Sequence, residues 1–447
     1  MTLSFNQEYQ NKLVSADQAA KIVKTGDWIE YSHFAMAPQT MDEAVSKRVS
    51  ELFDVKVRGM TTLFTPKVVQ MDPTRKHFMY HSWHFSGAER KLHDLGLCNY
   101  VPMLFHESPR IYSRYKEPDV AIIAVAPMDE HGFFNLGASN DFTKTAIDKS
   151  KKVILEVNDQ TPICLGGANE SVHISQADMI VETSWKIPPI PNGKMSDIDQ
   201  KIASLVMEEI VDGCCLQLGI GAMPNAVGAM IAQSDLKDLG VHTEMLADSY
   251  LAMYEAGRIT GKNKSLDRGK MVYTFAMGTT DLYEFLDRNP VCASYDVAYT
   301  NDPTNIALND KVIAINNAVE VDLYGQVCSE SSGTRHISGT GGQFDFIFGA
   351  YRSRGGKGLI CLSSTYADKN GNLNSRIKPT LTTGAIVTVP RTVTEYVITE
   401  YGKAILKGKS TWERAEALIS IAHPQVRDEL IRDAEKQGIW VYSNKTA

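Results

Sequence analysis

The sequence predicts an α/β protein made of two related open domains in tandem. Three observations predict it: apolar runs of strand length that do not alternate, helical patterns between them, and motifs that recur in the same order in both halves. The runs are Val120-Ala121-Ile122-Ile123-Ala124-Val125, Val153-Ile154-Leu155-Glu156-Val157, Val312-Ile313-Ala314-Ile315, Leu359-Ile360-Cys361-Leu362 and Ala385-Ile386-Val387-Thr388-Val389. Continuous apolarity marks strands covered on both faces, and therefore a largely parallel sheet. Residues 199–211 and 412–421 instead place their apolar side chains at helical spacing.

The recurrence runs the length of the chain. Gly26-Asp27-Trp28-Ile29 leads through Ala35-Met36-Ala37-Pro38 into a helical stretch, and Gly213-Cys214-Cys215-Leu216 leads through Ala222-Met223-Pro224 into another. Asp129-Glu130-His131-Gly132 is echoed by Asp322-Leu323-Tyr324-Gly325. Asp178-Met179-Ile180-Val181-Glu182-Thr183 is echoed by Glu395-Tyr396-Val397-Ile398-Thr399-Glu400. The proline-rich stretch Ile187-Pro188-Pro189-Ile190-Pro191-Asn192-Gly193 falls between the halves and reads as a linker. The expected division is a domain over 1–186, a linker over 187–198 and a second domain over 199–447.

Composition narrows the function classes. A chain of 447 residues is long enough for two or three domains with cores that need no disulfide staples. A net charge of −7 excludes a global basic field for nucleic acid. No apolar run is long enough to span a membrane, so no membrane partner is expected. The polar N-terminus, with Glu8, Lys12 and Asp17, lacks the apolar stretch of a signal peptide, and a cytoplasmic location is expected. The seven cysteines are odd in number and contain no C-x-x-C, which argues against a disulfide framework or a structural zinc. Cys214–Cys215 lies in an apolar run and reads as buried, inert thiol. The spacings of His77, His81, His84, His106 and His131 fit no compact metal-ligand set.

Three segments can carry chemistry. Leu216-Gln217-Leu218-Gly219-Ile220-Gly221-Ala222-Met223-Pro224 is a strand running into a glycine turn and then a helix starting near Pro224. Glycines there let a ligand approach the backbone, and a helix N-terminus favours anionic groups. A dinucleotide fingerprint is excluded, because the third glycine is missing at its spacing. Taken alone, the segment reads equally well as a tight turn. Ser338-Gly339-Thr340-Gly341-Gly342-Gln343-Phe344-Asp345 offers backbone N–H groups clear of side chains, suited to an anion or an oxyanion. By itself it reads also as a surface loop. Gly240-Val241-His242-Thr243-Glu244-Met245 sets a carboxylate just beyond a short strand, although a lone Glu is most often a solvated surface residue. Tyr299-Thr300-Asn301-Asp302-Pro303 is a turn by composition. Phe34, Trp83, Phe134 and Tyr299 are candidates for an apolar pocket, with core packing the simpler reading.

Together these residues carry a resemblance. With Val14-Ser15-Ala16-Asp17, Lys24-Thr25-Gly26-Asp27-Trp28, Val125-Ala126-Pro127-Met128-Asp129-Glu130-His131-Gly132-Phe133, Val397-Ile398-Thr399-Glu400-Tyr401-Gly402 and Ala417-Leu418-Ile419-Ser420-Ile421-Ala422-His423-Pro424, they cover nearly the whole chain. In this order they resemble the acetyl-CoA hydrolase/transferase family, whose acyl-CoA:carboxylate CoA-transferases act on butyryl-CoA and acetate or on 4-hydroxybutyrate.

The resemblance implies two open α/β domains of CoA-transferase type with the active site between them. It implies a ping-pong exchange of CoA between short-chain acyl groups, with CoA carried covalently on the enzyme and no prosthetic group or metal. The family's catalytic glutamate matches Glu244. Its oxyanion-stabilising glycines match Gly341 and Gly342, and its supporting asparagine matches Asn301. Gly219, Ile220, Gly221, Ala222 and Met223 match the segment along which CoA lies. Val319 is expected to touch pantetheine, Lys369 to meet a CoA phosphate, and Glu400 to position the glutamyl group. The expected partners are short-chain acyl-CoA and acetate, and the expected assembly is a homo-oligomer. Hydrolysis on the same Glu244, and ligand sensing by a non-enzymatic α/β fold, are the competing readings.

Overall fold

The computed structural model describes residues 4–190 and 193–439. It divides into two compact units. The first comprises Met1–Pro191, Glu244–Leu246 and Val272–Thr300, and the second Asn192–Thr243, Ala247–Met271 and Asn301–Ala447. Compactness therefore groups the Glu244 segment with the first half of the chain. Pro191 and Asn192, in the expected linker, and residues 440–447, at the expected end of the second domain, lie outside the described residues.

The first unit holds a seven-stranded, wholly parallel sheet. Its order is Cys98–Tyr100, Phe78–Ser82, Val55–Gly59, Trp28–Tyr31, Val120–Val125, Lys152–Asn158, Met179–Thr183. Every residue of Val120–Val125 is buried. Val120 and Ile122 pack into one apolar cluster while Ala121, Ile123 and Val125 pack into another, so the strand is covered on both faces. That coverage is why its sequence does not alternate. The chain enters at Trp28–Tyr31, builds to one edge, and returns on the other side of the same strand. Such a reversal is where open α/β sheets bind ligands, beyond the carboxyl ends of the strands.

The second unit repeats the plan. A run of strands follows the order Gly240–His242, Cys215–Leu218, Val312–Asn317, Lys357–Cys361, Tyr396–Thr399, all parallel, with Gly402–Ile405 antiparallel at the end. Cys215–Leu218 takes the inner place that Trp28–Tyr31 takes in the first unit.

The recurring motifs perform the same local tasks. Asp129 Oδ1 accepts the amides of His131 and Phe133 around Gly132 (φ +84), and Asp322 Oδ1 accepts those of Tyr324 and Gln326 around Gly325 (φ +90). The Asp178 carboxylate accepts the Val153 amide at 2.9 Å, and the Glu395 carboxylate accepts the Gly358 amide at 3.0 Å. In both cases an acid at the start of one strand anchors its neighbour.

Some elements differ from expectation. Residues 385–389 form no strand; only Val389 makes an isolated bridge, to Val327. Ile386 and Val387 are exposed, and only Thr388 and Val389 at the end of the run are buried. The helix expected near Pro224 begins two residues earlier, in Ala222–Gln233. The helix expected over 199–211 is Asp197–Met207, capped by Ser196, and Val211 lies beyond it, exposed. All seven cysteines are buried and unbridged, Cys214 and Cys215 in the apolar run as expected. Burial pushes the Cys215 thiol up to about 11, which keeps it protonated and inert. Among the described residues no helix is long and apolar enough to cross a membrane.

Candidate active site

In the second unit the glycine turn sits at the carboxyl end of the inner strand. Cys215–Leu218 is buried throughout, and the Leu218 amide donates to the Tyr250 hydroxyl at 2.6 Å. The chain then turns through Gly219, Ile220 and Gly221. Gly221 is the N-cap of Ala222–Gln233 with φ +124 and ψ −179, a conformation reserved for glycine. A Cβ on Gly221 would lie 4.0 Å from the Asn317 amide nitrogen, at the end of the neighbouring strand.

A cavity of about 230 Å³ opens beside this turn, with Ala222, Met223, Asn317, Val319, Ser363 and Arg376 among its lining residues. It lies at the reversal of strand order, where the topology places a ligand crevice. Two residues of the expected CoA segment, Ala222 and Met223, thus line the same cavity as Val319, the residue expected to touch pantetheine. Val319 is held from both sides: its amide donates to the Cys328 carbonyl at 2.9 Å, and its carbonyl accepts from Arg376 Nη1 at 3.0 Å. Arg376 also lays its guanidinium 5.0 Å from the centre of the Tyr366 ring. Its Nε is buried without a hydrogen-bond partner among the described residues. Burial lowers its pKa, but a guanidinium in this setting stays charged. A half-buried cation with a buried, unmet N–H on a cavity wall is suited to an anionic or carbonyl oxygen.

The second glycine loop reaches the same strand end. Gly341 has φ +51, and Gly342 is the N-cap of the ten-residue helix Gln343–Arg352. Gln343 Nε2 donates to the Asn317 carbonyl at 2.8 Å, which ties the loop to the residue lining the cavity. The helix Pro303–Leu308, two residues after Asn301, packs close to Gln343–Arg352. A Cβ on Gly349 would fall 2.7 Å from Ile306 side-chain carbons. Asn301 itself is fully buried, in the turn between Val297–Thr300 and Pro303–Leu308.

Glu400 follows the strand Tyr396–Thr399. Its two carboxylate oxygens accept from the Ser364 amide at 2.8 Å and the Ser364 hydroxyl at 2.6 Å. These bonds secure the loop that presents Ser363 to the cavity. Lys369 is exposed at the turn joining Thr365–Ala367 to Leu373–Ser375, and it is not among the residues lining the cavity.

Glu244 belongs to the first unit. It follows the break after Gly240–His242 and is half-buried. Its carbonyl accepts from the amides of Thr274 (2.9 Å) and Phe275 (3.3 Å), and Met245–Leu246 continues as a short parallel ladder on Phe275–Ala276. Phe34, Trp83 and Phe134 are buried core, while Tyr299 is partly exposed. Asn317 and Arg376 lie outside every motif the sequence offers, and Gln343 lies in the second glycine segment without being singled out there. The signal of the first two is three-dimensional, because strands distant in sequence bring them to one crevice.

The comparisons with known proteins agree with this architecture. The acetyl-CoA hydrolase/transferase N-terminal domain matches residues 2–191 and the C-terminal domain of the same family matches residues 278–434. The chain belongs to the acetyl-CoA hydrolase/transferase family. It is an enzyme of that family, a CoA-transferase that moves CoA between acyl groups. It is 51% identical to a butyryl-CoA:acetate CoA-transferase of Anaerostipes caccae, over 99% of this chain and 100% of that one. It is 39% identical to a 4-hydroxybutyrate coenzyme A transferase of Clostridium kluyveri, over 97% and 100% of the two chains. The crystal structure of RipA from Yersinia pestis superposes with a TM-score of 0.89 at 33% identity, covering 98% of this chain and 100% of that one.

Proposed function

We propose that this enzyme exchanges CoA between butyryl-CoA and acetate through a glutamyl-CoA thioester on Glu244. The observation that carries the reading is the 51% identity, over essentially the whole of both chains, to a transferase named for those substrates. A carboxylate nucleophile divides a difficult exchange into easier steps. Glu244 attacks the butyryl-CoA carbonyl, and CoA thiolate leaves to give a mixed anhydride. The thiolate then attacks the glutamyl carbonyl, forming the enzyme thioester and releasing butyrate. Acetate attacks the thioester and expels the thiolate, which finally attacks the acetyl carbonyl to yield acetyl-CoA and free Glu244. One thioester is traded for another, and the relay draws on no metal or redox group.

Each attack passes through an oxyanion, for which the Gly341 and Gly342 amides and the Asn301 side chain are the proposed donors. CoA is proposed to lie along Gly219, Ile220, Gly221, Ala222 and Met223, against Val319, with Lys369 toward a phosphate. Glu400 is proposed as a positioning group, and its bonds to Ser364 support a role in shaping the cavity wall. Exchange requires that water be kept from both acyl intermediates. Acetyl-CoA formed from butyryl-CoA in step with added acetate, with little free CoA, is the expected result. Release of free CoA at the same rate without acetate would mark a hydrolase instead.

The oxyanion role makes an ordering testable. Asn301→Ala deletes one donor and is expected to lower kcat by roughly 10²-fold. Asn301→Asp sets a negative charge near the developing one and is expected to be slower still, by about a further tenfold. Steady-state kinetics alongside Tm values decide the matter, since Asn301 is fully buried and both variants must be shown to fold. A faster Asp than Ala variant at equal Tm removes Asn301 from this role.

A further inference from the structure

We propose that the His33–Phe34 corner is the positioning device for Glu244: it clamps, through Asp141 and Phe275, the two amides that hold the Glu244 backbone. This inference rests on Glu244 being the nucleophile. The corner stands at the carboxyl end of Trp28–Tyr31, at the reversal of strand order in the first unit. Two independent routes run from it to Glu244.

The first route is a stack. Phe34 is fully buried yet has φ +54, a left-handed backbone unusual for so bulky a residue. Such a conformation costs about 1–2 kcal/mol and persists only where its surroundings enforce it. Here the Phe34 amide donates to the Met60 carbonyl at 2.9 Å. Ser32 Oγ accepts from the Ala124 amide at 2.9 Å and donates to the Met36 carbonyl at 2.5 Å. The result is a Phe34 ring lying 3.6 Å from the Phe275 ring at an interplanar angle of 5°. Phe105 presents an edge to both rings, with centroid separations of 6.2 and 6.3 Å. Phe275 is the residue whose amide donates to the Glu244 carbonyl.

The second route is polar. His33 is buried between Glu30 Oε1 and Asp141 Oδ2, each at 3.2 Å. Burial alone would depress its pKa, but Asp141 and Glu30 outweigh it and raise it to about 9, so the ring is an imidazolium near neutral pH. Arg58 Nε donates to the other Glu30 oxygen at 2.5 Å, which leaves two cations facing two carboxylates. Asp141 is itself left-handed, with φ +37, and its carboxylate also accepts from Ser139 Oγ and Thr143 Oγ1. The Asp141 amide donates to the Thr274 carbonyl at 3.1 Å, and the Thr274 amide donates to the Glu244 carbonyl at 2.9 Å. The ion pairs and hydroxyl bonds fix Asp141, although Arg58 Nη2 has no hydrogen-bond partner among the described residues, and the Asp141 backbone amide carries that fixed position through Thr274 to the nucleophile's backbone. Two strained non-glycine residues, Phe34 and Asp141, thus flank one carboxylate-bearing segment. Strain of that kind concentrates where geometry must be held for chemistry.

The test is the single-turnover rate at which butyryl-CoA labels Glu244 with CoA, read by mass after borohydride reduction. Phe34→Leu keeps the core apolar and removes the stack. Its labelling rate at saturating butyryl-CoA is expected to fall about 10–100-fold, since an ångström of misplacement can cost ~10²-fold. KM for butyryl-CoA is expected to stay within about threefold. Phe275→Leu is expected to behave alike, and the double variant to be no slower than the slower single one, because one clamp can be broken only once. Should Phe34→Leu not fold, Phe275→Leu and His33→Gln carry the same test. Folded variants that label at the wild-type rate overturn the clamp. A raised KM with an unchanged saturating rate also overturns it, and makes Phe34 a wall of the substrate pocket. Absence of label on Glu244 in the wild-type enzyme overturns the nucleophile reading itself, and the clamp with it.

Discussion

Incubated with butyryl-CoA and no acetate, the wild-type enzyme is expected to carry CoA as a thioester on Glu244, and Glu244→Gln is expected to carry none. The amide is nearly isosteric with the carboxylate but a poor nucleophile, so exchange is expected to fall on the order of 10⁴-fold or more. The fold should survive the change. The Glu244 carbonyl is held by the Thr274 and Phe275 amides, and neither bond involves the side chain. Borohydride reduction of the thioester fixes a mass change on the peptide containing His242-Thr243-Glu244-Met245. Glu244→Asp is a graded version of the same test. Retracting the carboxylate by one methylene, about 1.5 Å, is expected to cost at least ~10²-fold in exchange. It should also leak hydrolysis where the vacated space admits water. A fully active Glu244→Gln, or label on Glu400, would end the assignment.

The parts of the fold that could be read from the sequence are those whose physics is local or periodic. Val120–Val125 announces itself because clusters on both faces demand apolar residues at every position. The Asp129 and Asp322 turns are legible because an aspartate and a left-handed glycine three residues apart make the same hydrogen bonds wherever they occur. Residues 385–389 mislead because apolarity is only a proxy for coverage, and Ile386 and Val387 are exposed. The site divides along the same line. Gly221 stands out because its φ of +124 is open only to glycine, and Gly341 because its φ of +51 favours glycine or asparagine over most side chains. Arg376 and Asn317 sit in no motif and reach the cavity through long-range strand pairing, while the Gln343 side chain only ties the glycine loop to Asn317. His33 and Asp141 are equally silent, a lone histidine and a lone aspartate 108 residues apart in sequence. The grouping of Glu244–Leu246 with the first half of the chain is also beyond periodicity. It follows from the ladder between Met245–Leu246 and Phe275–Ala276, a pairing no local pattern encodes.

Gly341 offers the second large effect, because its conformation and its proposed role can be separated. At φ +51 it occupies the left-handed region, which Val adopts only at a cost of about 1–2 kcal/mol and which Asn tolerates. Gly341→Val is therefore expected to lower Tm modestly. If the loop's amides stabilise the oxyanion, the same change should lower kcat by roughly 10²–10³-fold, well beyond the stability loss. Gly341→Asn separates the two effects. Its backbone can keep the turn, so Tm should stay close to wild type, but an added side chain would crowd the approach to the amide if the loop holds the oxyanion. Turnover of Gly341→Asn is expected to remain at least tenfold depressed. A Gly341→Asn enzyme with wild-type kcat, beside a Gly341→Val enzyme whose activity falls only as its stability falls, would make Gly341 a turn residue. The Gly342 amide, at the N-cap of Gln343–Arg352, would then be the loop's remaining donor toward the oxyanion.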